Sequence, residues 1–391
     1  MTVSAARVAR NVLLVAVPFI VGIALGALFL GDFGESDDGP TGGTGGLPQI
    51  DLGKAGTYLA IGDSYSAGEG LPDYEQGTQD LPAGDRCHRS PQYAFPLRLQ
   101  SAFAFDTMIV HRACSGAEIR HVFSTVQEHS GTKNHLGLQI EPDRPGVPGT
   151  ISDDLLLVTI TMSGNDLHFA DMLIFCATHS SCLDDEFQHT GLSLSEWAER
   201  GLDSIGKRLT ELYETLHASV PADTRVLAVG YPGLFPEKVP SLLSNAFCHE
   251  ILKVWGDPER VAIRDWNVRL NGKVHAAADA AGIEYVDVFP FFSQHETCGS
   301  AGPWIKFIGD PSHEERDGWF HPTRVGQYMM GRVVACYLHV FRSYDEARAQ
   351  DDADAIEMGN CVANVYPTVS STSLPTPCVE LQVCAIENEL G

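Results

Sequence analysis

The chain is 391 residues long and strongly acidic, with 51 Asp and Glu against 26 Lys and Arg and a formal net charge of −25 at pH 7. This balance excludes nucleic-acid binding as a function, because few basic side chains are available to neutralise a phosphate backbone. The hydrophobic fraction of 44% is typical of a folded globular protein and excludes a chain that is disordered throughout.

The first 31 residues have the pattern of an export segment. Arg7 and Arg10 precede an uncharged apolar run at residues 11–30, and acidic residues begin at Asp32. Positive charge ahead of an apolar run keeps that side in the cytoplasm, so the rest of the chain is exported. The run is long enough to span a bilayer and longer than the usual core of a cleaved signal. The pattern therefore favours a membrane signal anchor over residues 1–31, with a cleaved signal peptide as the alternative.

Residues 32–54 are rich in Gly, Pro and Asp, a composition that predicts a flexible linker. The chain also has ten cysteines, with no CxxC pair and no Cys/His spacing suited to zinc. Disulfide bonds in an oxidising compartment explain such cysteines better than metal binding, and they agree with export. We therefore expect an extracytoplasmic protein with no bound metal.

Apolar runs and helical patterns alternate over residues 55–345. Short apolar runs bounded by turn residues predict buried strands at 57–61, 107–111, 155–161, 225–230 and 283–289. Helical patterns predict helices at 194–219, 258–281 and 322–342, the first opened by a capping box formed by Ser193 and Glu196. Strands followed by helices imply a three-layer α/β/α sandwich with a central, mostly parallel sheet. Residues 346–391 form an acidic, cysteine-containing C-terminal extension.

Residues suited to nucleophilic catalysis follow the predicted strands. Ser64 follows the first strand in the segment Gly-Asp-Ser-Tyr, Gly116 follows the second, Asn165 follows the third, and His321 stands before the last helix. Ligands of open α/β sheets bind outside the carboxyl ends of the strands, where these four residues would meet.

A serine hydroxyl is a weak nucleophile until a histidine accepts its proton, and the charge of a tetrahedral intermediate needs fixed donors. We therefore predict Ser64 as the nucleophile and His321 as the base. The backbone N–H groups of Ser64 and Gly116 and the side-chain amide of Asn165 would form the oxyanion hole.

The order of these blocks resembles that of the SGNH hydrolases, also called the GDSL esterase family. Each block alone is weak, since Gly-Asp-Ser is a common turn, but the combination is specific and covers about residues 57–340. The flanks are similar to a disulfide-containing actinobacterial branch of secreted esterases and lipases, in which the third block continues as Asn-Asp-Leu-His-Phe-Ala-Asp-Met-Leu does here. The resemblance implies a flavodoxin-like fold and hydrolysis of carboxylic esters through a Ser64 acyl-enzyme, without a cofactor.

The same resemblance implies three disulfides, Cys87–Cys114, Cys176–Cys182 and Cys248–Cys298. It leaves four cysteines without an assigned partner, and these are Cys336, Cys361, Cys378 and Cys384. Sequence spacing alone does not determine connectivity.

The group behind His321 departs from the family pattern. The family usually has an aspartate three residues before the histidine, where this chain has Gly318, and Asp317 lies one place earlier. Asp317 is the favoured third member of the triad. The main-chain carbonyl of Gly318 and the carboxylate of Asp310 are the alternatives.

The sequence does not determine which ester is the substrate. The ester could belong to a lipid, a phospholipid or an acylated glycan, and the membrane would be a partner only through an uncleaved N-terminal segment. Acyl transfer to an alcohol would use the same site, and a catalytically silent binding module on this fold is a further alternative. Trp304 and Trp319 either line the pocket or fill the core.

Overall fold

The computed structural model of the protein describes residues 47–71, 73–80, 84–129, 132–133, 137–145, 147–179, 181–238, 256–307, 318–349 and 352–363. Within these ranges, no helix combines the length and the hydropathy that crossing a bilayer requires. The predicted signal anchor at residues 1–31 lies outside them. So do five residues named in the predictions, which are Cys248, Asp310, Asp317, Cys378 and Cys384.

The centre of the protein is a sheet of five parallel strands. They are β1 (Gly56–Gly62), β2 (Thr107–His111), β5 (Leu155–Thr161), β6 (Arg225–Val229) and β7 (Glu284–Val286), in the order β2-β1-β5-β6-β7. A separate antiparallel pair is formed by β3 (Glu128–His129) and β4 (Thr132–Lys133). The predicted α/β/α fold with a parallel sheet is confirmed.

The last strand is shorter than the sequence predicts. The chain leaves the sheet after Val286, where the Asp287 carboxylate accepts the N–H of Phe289 at 2.9 Å and turns the backbone. Pro290 then begins a 3₁₀ turn, and proline has no N–H for a sheet hydrogen bond.

The central strands are buried on both faces. Every residue of β5 is buried, as is every residue of β1 after Gly56, because helices cover the two sides of the sheet. The chain order reverses between β1 and β5, which are neighbours in the sheet. In doubly wound folds this reversal opens a crevice at the carboxyl edge, and ligands bind there.

In the described part of the chain, four helices of ten or more residues flank the sheet, and three four-residue helices lie in its connections. The long ones are α4 (Phe169–Thr178), α5 (Leu194–Ser219), α6 (Asp257–Ala281) and α7 (Arg324–Val340). The short ones are α1 (Ser64–Ala67), α2 (Phe95–Arg98) and α3 (Arg120–Phe123). The predicted capping box of α5 is present, since the Ser193 hydroxyl accepts the N–H of Glu196 at 3.2 Å and the Glu196 carboxylate accepts the N–H of Ser193 at 3.0 Å.

Helix α7 begins two residues later than predicted. Pro322 pairs with Ile305 in an isolated bridge and does not open the helix. The Thr323 side chain caps the helix instead by accepting the N–H of Gly326 at 3.1 Å.

Both ends of the described chain pack on the domain. Ile50 falls in the predicted linker, yet it is buried and its N–H donates to the carbonyl of Ala102 at 2.7 Å, because its side chain joins the core. At the other end lie α8 (Tyr344–Arg348) and α9 (Asp352–Ala363). A disulfide between Cys336 and Cys361 ties α9 to α7.

Candidate active site

Ser64 lies at the turn between β1 and α1, at the carboxyl edge of the sheet. Asp63 caps the short helix by accepting the N–H of Tyr65 at 3.0 Å. Gly62 has a φ of +130°, and a Cβ there would lie 2.4 Å from the carbonyl oxygen of Thr161. The turn that presents the serine therefore requires glycine at position 62.

His321 is in contact with the serine, although the two residues are 257 positions apart in the chain. Its Nε2 lies 2.7 Å from Ser64 Oγ. Its Nδ1 lies 3.0 Å from the main-chain oxygen of Trp319, so the ring donates from Nδ1 and presents Nε2 as an acceptor. Phe320 has a φ of +62°, a strained conformation of the kind found at functional sites.

Among the described residues, the group that contacts Nδ1 of the histidine is the main-chain carbonyl of Trp319, the residue after the predicted alternative Gly318. The carbonyl of Gly318 accepts the backbone N–H of His321 at 3.3 Å, which closes a tight turn. That turn directs the next carbonyl, of Trp319, towards the ring. Asp317 and Asp310 lie outside the described residues.

The predicted oxyanion residues come together beside Ser64. Gly116 has a φ of +76°, and the Asn165 side-chain amide donates to the carbonyl of Ala117, the next residue, at 2.9 Å. Ser64, Gly116 and Asn165 line one cavity together with His321.

A disulfide on one side and an ion pair on the other hold the loop that carries Gly116. The disulfide Cys87–Cys114 precedes it, and the N–H of Ser115 donates to the carbonyl of Cys87 at 3.0 Å. After it, Asp166 accepts the N–H of Ile119 at 3.0 Å and forms an ion pair with Arg208 of α5. The loop that carries Gly116 is therefore fixed from both sides.

The disulfide Cys176–Cys182 is also present, at the end of α4. Cys298 is disulfide-bonded, and its predicted partner Cys248 lies outside the described residues.

Tyr231 belongs to the site and was missed by the sequence reasoning. Its hydroxyl donates to Asp63 and accepts the N–H of Gly164 at 2.9 Å, so it connects the serine block to the asparagine block. Burial raises the pKa of Asp63 to about 6, against the opposing hydrogen bonds from Tyr231 and Thr161. A signal was available, because Tyr231 follows β6 at the same edge of the sheet.

One wall of the cavity is apolar. Helix α4 supplies Phe169, Ala170, Leu173 and Ile174, and Trp319 lies beside His321. The cavity volume is about 260 Å³, near the lower end of small-molecule sites. Trp304, by contrast, is buried in the core and stacks on His295 at 3.5 Å between ring centres.

Glu69 and His88 also line the cavity, and the sequence reasoning missed both. Glu69 could have been noticed from its place five residues after the serine. In the part of the chain that the structure describes, no group of three or more His, Cys, Asp or Glu side chains is arranged to hold a metal ion.

These features together define the class of protein: an α/β/α fold with the site of a carboxylic ester hydrolase at the reversal point of its sheet. The chain belongs to the GDSL-like lipase/acylhydrolase family, whose model matches residues 60–328.

Relatives in Streptomyces agree with this assignment. The protein is 28% identical over 273 residues to "Lipase 1" of Streptomyces coelicolor strain A3(2), a match that covers 69% of this chain and 82% of the relative. It is 26% identical over 276 residues to the "Lipase" of Streptomyces rimosus, covering 70% and 83%. The crystal structure of phospholipase A1 from Streptomyces albidoflavus NA297 has the same fold, with a TM-score of 0.50 at 24% identity over 70% of this chain and 95% of that one.

Proposed function

We propose that the protein is an extracytoplasmic serine esterase in which Ser64 is the nucleophile and His321 the general base. The observation that carries this proposal is the 2.7 Å contact between His321 Nε2 and Ser64 Oγ, beside the Gly116 loop and Asn165. The three disulfides of the described residues support an oxidising compartment.

The reaction proceeds through an acyl-enzyme. Ser64 Oγ attacks the ester carbonyl carbon while its proton moves to Nε2 of His321. The N–H groups of Ser64 and Gly116 and the amide of Asn165 stabilise the resulting oxyanion. Collapse breaks the bond to the alcohol, which takes the proton from His321. Water, deprotonated by the same ring, then attacks the acyl carbonyl; the bond to Ser64 Oγ breaks, the acid is released, and Ser64 takes back the proton from His321.

The group at Nδ1 holds the ring during both half-reactions. The carbonyl of Trp319 accepts a hydrogen bond there, which sets the tautomer with a free Nε2. Asp317 remains our proposal for a charged third member.

The cavity wall favours a lipid ester over an acylated glycan as the substrate. Phe169, Leu173 and Ile174 offer apolar contact to an acyl chain, and they present no polar group to a sugar hydroxyl. The relatives from Streptomyces coelicolor and Streptomyces rimosus are both named lipases.

A fluorophosphonate probe tests the nucleophile. We expect the wild-type protein to be labelled at Ser64 and to hydrolyse p-nitrophenyl esters, and Ser64→Ala to lose both the label and the turnover. Ser66→Ala is the matched control, because Ser66 is fully buried and its hydroxyl bonds to Thr161 at 2.8 Å, so this variant should keep the label.

The other possible functions are distinguishable outcomes of this experiment. A folded wild-type protein that takes no label and cleaves no short or long ester would contradict the proposal and favour a binding module. Acylated product formed when an acceptor alcohol is supplied would indicate acyl transfer.

A further inference from the structure

A tyrosine hydroxyl connects the turn that carries the nucleophile to the loop that carries the base. Tyr65 directly follows Ser64 in α1, and its backbone N–H donates to the Asp63 carboxylate at 3.0 Å. Its hydroxyl donates to the main-chain oxygen of Phe320 at 2.8 Å, across 255 positions of the chain. Because His321 is the residue after Phe320, this hydrogen bond ends directly beside the base.

The peptide group between Phe320 and His321 is held at both ends. Its oxygen accepts the hydrogen bond from Tyr65, and its N–H donates to the carbonyl of Gly318 at 3.3 Å. Phe320 has a φ of +62°, which a residue with a side chain rarely adopts, so surrounding contacts must keep the backbone in this conformation. The orientation of this peptide group sets the direction in which the His321 side chain leaves the backbone.

The aromatic ring of Tyr65 also contacts the base. The ring centres of Tyr65 and His321 lie 5.0 Å apart, with their planes at 41°. Tyr231 packs edge-on against Tyr65, with ring centres 5.1 Å apart. The backbone oxygen of Tyr65 accepts the side-chain N–H of Gln327 at 3.1 Å, and Gln327 is fully buried in α7. Tyr65 is therefore held by groups from several elements before its hydroxyl reaches the histidine loop.

The histidine loop also pairs with a second segment. The N–H of Phe320 donates to the carbonyl of Lys306 at 3.0 Å, and the N–H of Lys306 donates to the carbonyl of His321 at 2.9 Å. These bonds fix the loop relative to Lys306, whereas the Tyr65 hydroxyl fixes it relative to the serine turn. The distance at stake is the 2.7 Å between His321 Nε2 and Ser64 Oγ, on which proton transfer depends.

We propose that Tyr65 is a positioning residue whose hydroxyl, through the Phe320 carbonyl, holds the imidazole of His321 in line with Ser64 Oγ. The phenol is neutral at the pH of the reaction and transfers no proton, so it acts on the geometry of the base alone. The inference rests on the proposed function, because it assigns a role in that reaction.

Tyr65→Phe tests this role, since it removes the hydroxyl and keeps the ring. We expect kcat for p-nitrophenyl butyrate to fall about tenfold with KM within about twofold of the wild type, because the base loses alignment while the cavity wall is unchanged. The acidic limb of the kcat/KM profile should stay within about 0.3 pH units, because no charge near His321 is removed. Rates are expressed per site labelled by the fluorophosphonate, so unfolded protein does not contribute.

Tyr58→Phe is the matched control for the loss of a buried hydroxyl. Tyr58 is fully buried in β1, and its hydroxyl lies 2.7 Å from Oγ1 of Thr159. This variant also loses a tyrosine hydrogen bond, so its Tm should fall at least as far as that of Tyr65→Phe. Its kcat should nevertheless stay within about twofold of the wild type, because the lost bond does not involve the histidine loop.

Tyr65→Leu provides a second variant, in which the ring contact with His321 is lost as well. Its kcat should fall further, by about a hundredfold. A kcat per labelled site within about twofold of the wild type in both Tyr65 variants overturns the proposal. So does an equal fall in Tyr58→Phe, which would assign the loss to stability. A folded wild-type protein that takes no label and cleaves no ester would instead contradict the proposed function itself.

Discussion

At the scale of single residues, burial and neighbouring groups together set the charge of the acidic side chains at the site. Asp63 and Glu69 both lie within a few positions of Ser64, and both are almost fully buried. Their pKa values shift in opposite directions: burial prevails at Asp63 over the hydrogen bonds from Tyr231 and Thr161, whereas at Glu69 the interaction with His88 is the largest of the effects that outweigh burial. The sequence places both acids near the serine, but their neighbours come from segments far away in the chain.

Asp63 should make the stability of the protein depend on pH. Its pKa of about 6 lies above the ordinary value of 3.8, so the folded state holds a proton that the unfolded state releases. Stability contributed by this group is therefore lost as the pH rises from about 4 to about 6. The two-unit difference corresponds to roughly 3 kcal/mol.

Asp63→Asn cannot ionise, so this variant should gain about 3 kcal/mol relative to the wild type between pH 4 and pH 7. Urea denaturation at several pH values measures this difference. Asp73→Asn is the control, because Asp73 is exposed, and its stability should depend on pH as that of the wild type does. Parallel stability curves for Asp63→Asn and the wild type would contradict the prediction.

At the scale of elements, helix α4 joins the catalytic edge to the cavity wall. It begins at Phe169, four residues after Asn165, and the disulfide Cys176–Cys182 holds its other end. Phe169 and Leu173 are spaced one helical turn apart, so they share a face with the cavity. The sequence predicts the loop that carries Asn165 but no helix after it, because ten residues that are apolar on most sides show no clear helical periodicity.

Ile174 on α4 is 53% exposed while it also lines the cavity, so its side chain can be changed without opening the core. Ile174→Asp should reduce kcat/KM for octanoyl and palmitoyl esters by about tenfold, because the apolar contact with a long acyl chain is lost. Hydrolysis of the acetyl ester should stay within about twofold of the wild type, because a short acyl group has fewer methylenes to lose contact.

A chain-length series of p-nitrophenyl esters measures this preference. Val261→Asp is the control, because Val261 is 55% exposed on α6 and is not among the residues that line the cavity. If Ile174→Asp lowers kcat/KM equally for all esters, the prediction that α4 contacts the acyl chain is wrong.

At the scale of the whole molecule, the described part of the C-terminal extension is bound to the domain. Arg332 of α7 is buried, and its guanidinium donates to the carbonyls of Cys361 and Val362 in α9, the second at 3.0 Å. Met358 and Val362 of α9 are also buried. The sequence predicts an acidic, cysteine-containing C-terminal extension, and the structure places its described part against the helix that follows His321.

The disulfide Cys336–Cys361 closes a sequence separation of 25 residues. Replacing both cysteines by serine should cost roughly 3 kcal/mol and lower Tm by several degrees. Thermal unfolding followed by circular dichroism measures the change, and fluorophosphonate labelling at low temperature checks that the variant is folded. A variant with the wild-type Tm would show that the bridge does not stabilise α9 on α7.

The sequence by itself determined the parallel sheet and the four blocks at its carboxyl edge. Apolar runs, turn residues and capping residues are local signals, and the end of each strand can be read from the order of its side chains. Ser64, Gly116, Asn165 and His321 could therefore be expected to meet.

Only the tertiary structure decided which groups surround them. The carbonyl of Trp319 behind His321, the hydroxyl of Tyr231 on Asp63 and the pair of Glu69 with His88 depend on the conformation of loops. Packing against distant segments sets that conformation, and no local periodicity encodes it. The charge that each buried group carries depends on these neighbours as well.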